Sequence, residues 1–263
     1  MSIYVVTGGS KGIGATVVEI LRGWGNEAVN VDIADADISG DLGTAEGRKA
    51  IIGEVHARYP DGIDGLVANA GISGVGVSKP SRVLSVNYFG AVAVIEGLYD
   101  LLEKRRGNCV VTSSFSMSYT EINRYFVHEL LLNCGDEERI CRFVDSFDPD
   151  KLSSNIYVSS KIALARYVRR VSGSWATHGM RINTVAPGGV DTTIIPNMKE
   201  PESFSRFSLA FPMPAVYRQE DLLRPEDLGR VLSFMVTKES RGINGALIYC
   251  DGGAHGLLNT ERI

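Results

Sequence analysis

A short β-branched run, Ile3-Tyr-Val-Val-Thr7, leads directly into Thr7-Gly8-Gly9-Ser10-Lys11-Gly12-Ile13-Gly14, and Val17, Val18, Ile20 and Leu21 follow at helical spacing. Strand, glycine-rich turn and helix in that order form the opening of a dinucleotide-binding unit. Glycines let the backbone turn tightly and come close to a pyrophosphate at the positive end of a helix. The spacing is GxxxGxG rather than GxGxxG. A plain tight turn between a strand and a helix would use the same residues, so the loop needs a partner elsewhere in the chain. Asp32 supplies one. It ends a second strand, Ala28-Val-Asn-Val31, about 20 residues past the loop, where a carboxylate can accept hydrogen bonds from an adenosine ribose.

Strands begin near Ile3, Ala28, Gly65, Cys109, Arg181 and Ala246. Helical patterns fill the intervals, including 44–59, 81–104 and 155–178. A further strand lies near Val31–Ile38 or is absent. Such alternation predicts an α/β fold, a single Rossmann-type doubly wound parallel sheet with helices on both faces. At 263 residues, one domain spanning 1–263 is expected. Ligands in such sheets lie beyond the carboxyl ends of the strands, where Gly8, Asp32, Asn69, Ser114 and Pro187 all fall.

Tyr157-Val-Ser-Ser-Lys161 is the second strong feature. Four residues apart on a helix, the phenol and the amine project from one face with ~6 Å of rise between them. A phenol titrates near 10, and a cation beside it favours the phenolate. The pair is therefore a candidate acid–base device. A surface Tyr and Lys at helical spacing would look the same in isolation.

Other function classes find little support. The net charge is −4 and no basic block is present, so neither nucleic acid nor an anionic membrane is indicated. No apolar run approaches the ~20 residues of a membrane span. The first strand begins at once and leaves no room for a signal peptide, so a cytoplasmic location is expected. Cys109, Cys134, Cys141 and Cys250 show no metal-ligand spacing and read as free thiols. The histidines are scattered, and no metal site is expected.

Taken together, these motifs resemble the short-chain dehydrogenase/reductase family. Thr7–Gly14 matches its TGxxxGxG, Asn69-Ala70-Gly71 its NAG, and Asn87 its central-helix Asn. Ser114 stands where the catalytic Ser falls, and Tyr157 and Lys161 match YxxxK. Pro187-Gly188-Gly189-Val190-Asp191-Thr192 matches PGxVxT, and Asp251-Gly252-Gly253 the C-terminal DGG. The resemblance implies hydride transfer between a nicotinamide cofactor and a secondary alcohol or ketone. Tyr157 would move the proton, Lys161 would lower the Tyr157 pKa and hold a ribose, Ser114 would bind the substrate oxygen, and Asn87 would hold a water leading to solvent. Asn69 is as readily a structural brace, and Asn87 a structural Asn in a kinked helix. Val190 and Thr192 would hold the carboxamide. Cofactor contacts are expected from Gly8, Ser10, Lys11, Gly12, Ile13, Gly14, Asp32, Ile33, Asp41, Leu42, Asn69, Ala70, Gly71, Tyr157, Lys161, Pro187, Gly188, Val190 and Thr192. NAD is the expected cofactor, because Asp32 repels a 2′-phosphate and neither Ile33 nor Ala34 supplies an Arg. Lys11 argues the other way.

Ser114 and Tyr157 are 43 residues apart, far wider than the family's usual separation. The excess, about 117–152, reads as a helical pair over 121–134 and 136–147. The first carries Phe126, Leu130 and Leu131. The second carries Ile140, Phe143, Val144 and Phe147 at i, i+3, i+4, i+7. Either the insert packs on itself as decoration, or it borders the site and replaces an oligomer contact, which favours a homodimer. Residues 193–220, with Ile194, Met198, Phe204, Phe207 and Phe211, read either as an apolar lid at the family's substrate-loop position or as an ordinary packed helix. With the insert, Asp41–Lys49 and Ser85–Ala91, the closer resemblance is to the bacterial 3α-hydroxysteroid dehydrogenase/carbonyl reductase subgroup. That implies a hydroxysteroid or other bulky alicyclic carbonyl as substrate. Smaller aromatic or alicyclic alcohols are the alternative, and a catalytically silent NAD-binding regulator is the alternative from another class.

Overall fold

The chain is described by a computed structural model at residues 1–74, 77–119, 126–192 and 222–261; the side chains of 150, 151, 153 and 154 also lie outside the description. Seven strands form one sheet: β1 (Ile3–Thr7), β2 (Glu27–Asp32), β3 (Ile38–Ser39), β4 (Gly65–Ala68), β5 (Asn108–Thr112), β6 (Arg181–Pro187) and β7 (Leu247–Cys250). Every pairing is parallel, in the order β3-β2-β1-β4-β5-β6-β7. The order reverses between β1 and β4, which places a crevice at their carboxyl ends. The expected doubly wound sheet is the observed one. The strand left open in the sequence exists as two residues, paired with Val31 and Asp32.

The strands bury both faces, as parallel strands must. One face packs α1 (Gly12–Gly23) and α9 (Pro225–Val236) over Val6, Val67, Val110 and Val185. The other packs α2 (Ala45–Arg58), α4 (Ala91–Gly97) and α8 (Pro149–Thr177) over Val5, Leu66, Cys109 and Ile182. Thr44 caps α2, its hydroxyl accepting from Gly47 N at 3.0 Å.

The helix predicted over 81–104 is not continuous. It consists of α3 (Pro80–Leu84), a π-turn (Ser85–Gly90), α4, and α5 (Tyr99–Arg105). The π-turn carries Asn87, whose amide is bonded to the chain at Ile72 and not to its own helix. Such a widened turn commonly marks a functional site.

The insert contributes α6 (Val127–Asn133) and α7 (Glu137–Asp145), and α8 begins inside it at Pro149, a residue suited to the first helical turn. Residues 120–125, including the predicted start of the first helix, lie outside the described residues, as does the predicted lid. Phe126 is exposed and left-handed at the N-cap of α6, so it does not belong to a buried stripe. The insert is not decoration packed on itself. Ile140 (2% exposed), Val144 (0%), Leu131 and Val127 belong to the same cluster as the sheet core. Only half of the predicted stripe is buried, because Phe143 is 44% exposed and meets Phe147 edge to face. α6 lies along α8, where Arg166 pairs with Glu129 and Arg170 Nη1 donates to Leu132 O at 2.9 Å.

If the insert is part of the core, Ile140→Ala should destabilise by about 2–5 kcal/mol, the range for emptying a closed aliphatic site. Phe143→Ala should lose less than about 1.5 kcal/mol. Chemical denaturation of both variants checks this; equal, small losses would show a detached insert.

Candidate active site

The carboxyl ends of the strands open on a cleft of about 610 Å³ that runs from Asp32, Ile33, Asp41 and Leu42 to Ser114, Tyr157 and Lys161. Its middle is lined by Gly8, Lys11, Gly12, Ile13, Asn69, Ala70 and Gly71, and its far wall by Pro187, Gly188, Val190 and Thr192. The sequence thus brings nearly all of its predicted site residues to one surface. Three are held elsewhere. Ser10 turns its hydroxyl toward the carbonyls of Ala34 and Asp35, at 2.8 and 3.0 Å, behind the loop. Gly14 packs against the loop itself; a Cβ there would lie 2.0 Å from Gly8 O, so only glycine lets the helix start so close. Asn87 is fully buried behind Gly71.

The glycine-rich end suits an anion. Lys11 caps α1 without a side-chain hydrogen bond, and no acidic residue stands in the first turn, so the first N–H groups are open. Gly8 has φ 69°, a left-handed conformation that glycine adopts freely. Thr192 packs over Gly12 from the opposite wall.

Asp32 accepts from Ser10 N at 3.0 Å and from its neighbour Ile33 N at 2.7 Å. These two bonds fix the carboxylate at the mouth of the loop. A carboxylate has about four acceptor positions, so two remain for hydroxyl groups. Asp41 is held differently. Burial opposes its charge, but Arg82 takes both its oxygens at 2.8 and 2.9 Å and Gly43 N takes one at 2.8 Å, and its carboxyl is held below the usual range. Arg82 lines the same cleft and was not anticipated.

At the other end, two bonds join β5 to α8. Ser113 Oγ donates to Lys161 O at 2.8 Å, and Lys161 Nζ donates to Thr112 O at 3.1 Å. They bring Ser114, Tyr157 and Lys161 together. Ser114 Oγ accepts from Ser116 N at 3.2 Å, so its own hydrogen is available to another oxygen. Lys161 is 4% exposed, with Nζ 5.7 Å from the Tyr157 ring centre. Burial pulls its amine down to about 8. Burial also pushes the Tyr157 phenol up, and the hydrogen bond from Ser114, which acts the other way, does not cancel it. Burial thus acts on the phenol against the lowering expected from Lys161. Asn87 Oδ1 accepts from Ile72 N at 2.8 Å and its Nδ2 donates to Ile72 O at 3.0 Å, so the side chain fixes this loop with half of its hydrogen-bonding capacity.

Sequence reasoning missed Arg48, Arg82, Thr7 and Thr112. Arg48 left a legible trace, since it shares a helical stripe with Ile51 and Val55 and all three are buried. A charge on a buried stripe signals a paired guanidinium. Thr7 opens the TGxxxGxG match and Thr112 lies in a strand run, but neither position discloses the hydrogen bonds its hydroxyl makes.

Among the described residues, no cluster of metal-ligating side chains is present, and no helix is long and apolar enough to cross a membrane. The family model described as short chain dehydrogenase matches residues 2–125, and that described as enoyl-(acyl carrier protein) reductase matches 152–255. The interval between them holds α6 and α7. The chain is 32% identical, over 267 aligned residues and the whole of both proteins, to 3-alpha-hydroxysteroid dehydrogenase/carbonyl reductase of Comamonas testosteroni. It is 28% identical over 261 residues to coniferyl-alcohol dehydrogenase of Pseudomonas sp. (strain HR199), covering 95% of this chain and 94% of that one. The crystal structure of 3-alpha-hydroxysteroid dehydrogenase from Pseudomonas sp. B-0831, complexed with NADH, matches with a TM-score of 0.89 at 28% identity over all of both chains. The fold, the cleft and these relatives together place the chain in the short-chain dehydrogenase/reductase family of oxidoreductases.

Proposed function

We propose that this protein transfers a hydride between NAD(H) and a secondary alcohol or ketone, with a hydroxysteroid or similar bulky alicyclic carbonyl as substrate. The observation that carries the reading is the placement of Ser114, Tyr157 and Lys161 in the cleft that also holds the glycine-rich loop and Asp32. When bound, the nicotinamide supplies or accepts the hydride. Gly8, Gly12 and Ile13 would hold the pyrophosphate, Asp32 the adenosine ribose, and Ile33, Asp41 and Leu42 the adenine. Ala70 and Gly71 would line its middle, Lys161 would hold the second ribose, and Pro187, Gly188, Val190 and Thr192 the carboxamide. The Asp32 carboxylate favours free ribose hydroxyls over a 2′-phosphate. Lys11 and Arg82 are cations on the same cleft, but Arg82 is committed to Asp41.

In the reducing direction, Ser114 donates its hydrogen to the substrate carbonyl oxygen and stabilises the charge that develops there. Tyr157 gives up its phenolic proton to that oxygen. A phenol, which ordinarily titrates near 10, carries that proton at neutral pH. Lys161 then faces the phenolate and stabilises it. In the oxidising direction the proton moves the other way. The preference for a bulky apolar substrate rests on the apolar residues of 193–220 and on the similarity to the Comamonas enzyme. The insert along α8 supports a homodimer assembled through another face.

A panel of steroid, alicyclic and aromatic ketones assayed with NADH and NADPH tests this reading. Steroid or alicyclic ketones should turn over with a higher kcat/KM for NADH than for NADPH. Tyr157→Phe should lower kcat by about 10²–10⁴ while NADH still binds. Near-normal turnover in that variant would contradict the assignment, and a preference for NADPH would mean that Lys11 outweighs Asp32.

The buried amine gives a pH test that needs no substrate. The folded value of Lys161, about 8, lies below its ordinary 10.5, so between these the unfolded chain binds more protons than the folded one. Stability from this group therefore rises with pH over that window, while below it the penalty of burying the charge is felt in full. Lys161→Met should be stabilised relative to wild type near pH 7, with the difference shrinking as pH approaches 10.5. Denaturation of both proteins across this range checks it; a constant difference would mean that Lys161 keeps its charge when folded.

A further inference from the structure

Arg48 is a buried charge that the chemistry above does not use. A guanidinium in such a place must be fully paired. Nε donates to Leu42 O at 2.6 Å, in the adenosine end of the cleft. Nη2 donates to Ser85 O at 2.8 Å, at the start of the π-turn that carries Asn87. Nη1 and Nη2 also take both carboxylate oxygens of Glu137, at 2.6 and 2.8 Å. Glu137 opens α7, 89 residues away in the chain. One guanidinium thus joins the cleft wall, the π-turn and the insert. The wall and the π-turn are themselves in contact, since a Cβ on Gly90 would lie 2.7 Å from Leu42 O.

The other end of α7 makes a parallel connection. Asp145 accepts from Ser81 N at 2.9 Å and from Ser81 Oγ at 2.7 Å. The next residue, Arg82, holds Asp41 in the cleft through both carboxylate oxygens. Each end of this helix therefore grips an element that presents a residue to the adenosine end. A bidentate carboxylate fixes the plane of a guanidinium, and that plane sets where Nε points.

We propose that α7 is a positioning element for the adenosine half of the cofactor, with Glu137 acting through Arg48 to set the Leu42 wall. The proposal rests on the cofactor reading of the cleft and extends it, because it assigns the insert a part in cofactor affinity. Loss of the Glu137 charge frees the guanidinium to turn, and the Leu42 carbonyl loses its anchor. The effect should fall on binding and not on the proton chemistry at Tyr157.

The test compares wild type, Glu137→Gln, Arg48→Lys and the double variant. NADH affinity is read by fluorescence titration, ADP-ribose affinity by calorimetry, and folding by thermal unfolding. Glu137→Gln should raise both Kd values by a similar factor, on the order of tenfold, which corresponds to about 1.4 kcal/mol. The KM for NADH should rise with them, and kcat at saturating NADH should change less than about threefold. The double variant should bind no worse than Arg48→Lys alone. Glu138→Gln, at a side chain that is 80% exposed and that among the described residues pairs along its own helix with Arg142, serves as the control and should bind like wild type. A Glu137→Gln protein with a lower Tm but unchanged Kd values would overturn the proposal, as would losses from the two residues that simply add. If that variant does not fold, Glu137→Asp carries the test under the same criteria. Wild-type protein that bound neither NADH nor ADP-ribose would overturn the cofactor reading and the proposal together, whereas normal binding unaffected at Glu137 would overturn the proposal alone.

Discussion

Three strand ends are tied by one small hydrogen-bond network, and the cleft depends on it. Thr7 Oγ1 accepts from Asn69 N and Ala70 N, each at 3.1 Å. Thr112 Oγ1 donates to Asn69 Oδ1 at 3.1 Å, and Asn69 Nδ2 reaches Gly8 O at 3.4 Å. These groups sit where β1, β4 and β5 release their backbones from the sheet and would otherwise leave polar atoms unpaired. Asn69 is thus the brace that its position allowed, whatever further contact it makes with a ligand. Its bonds fix the glycine-rich loop against the strand that ends in Ser114. The two further bonds from Ser113 and Lys161 then dock α8 on the same strand end.

Burial sets the electrostatics at that junction. Lys161 is buried, so its amine holds its proton less tightly than a surface lysine, while the phenol of Tyr157 holds its proton more tightly. Both shifts move toward the neutral form, as desolvation requires. A donor in Ser114, a protonated phenol and a cation set behind the phenol are the parts that the proposed proton transfer requires.

The sheet was legible because parallel strands buried on both faces must be apolar throughout, and Val5-Val6, Leu66-Val67 and Val110-Val111 carry that signature. Residues at strand ends were legible for a related reason, since chemistry there needs particular side chains at fixed offsets. What failed to show was set by contacts distant in the chain. The central helix reads as continuous because its apolar spacing runs through Gly90 and Gly97, while the π-turn and the bonds from Asn87 to Ile72 belong to the folded chain. The stripe on α7 predicts burial of Phe143, but α3 and the core cover only the side with Ile140 and Val144. Ser10 lies in the motif, yet the turn at Ala34 and Asp35 claims its hydroxyl. The insert falls between the two family-model matches, and its attachment through Glu137 to Arg48 is visible only once the chain is folded.

In the proposed function a nicotinamide dinucleotide would lie along the strand ends from Asp32 to Tyr157. Amide hydrogen exchange with and without NADH tests this most directly. Exchange should slow on NADH addition in residues 8–14, 69–72 and 187–192, which are far apart in sequence and each contribute to the cleft. No change is expected around the separate notch of about 270 Å³ bounded by Arg22, Glu27 and Tyr59. Protection confined to that notch, or absent from the glycine-rich loop, would mean that the dinucleotide binds elsewhere.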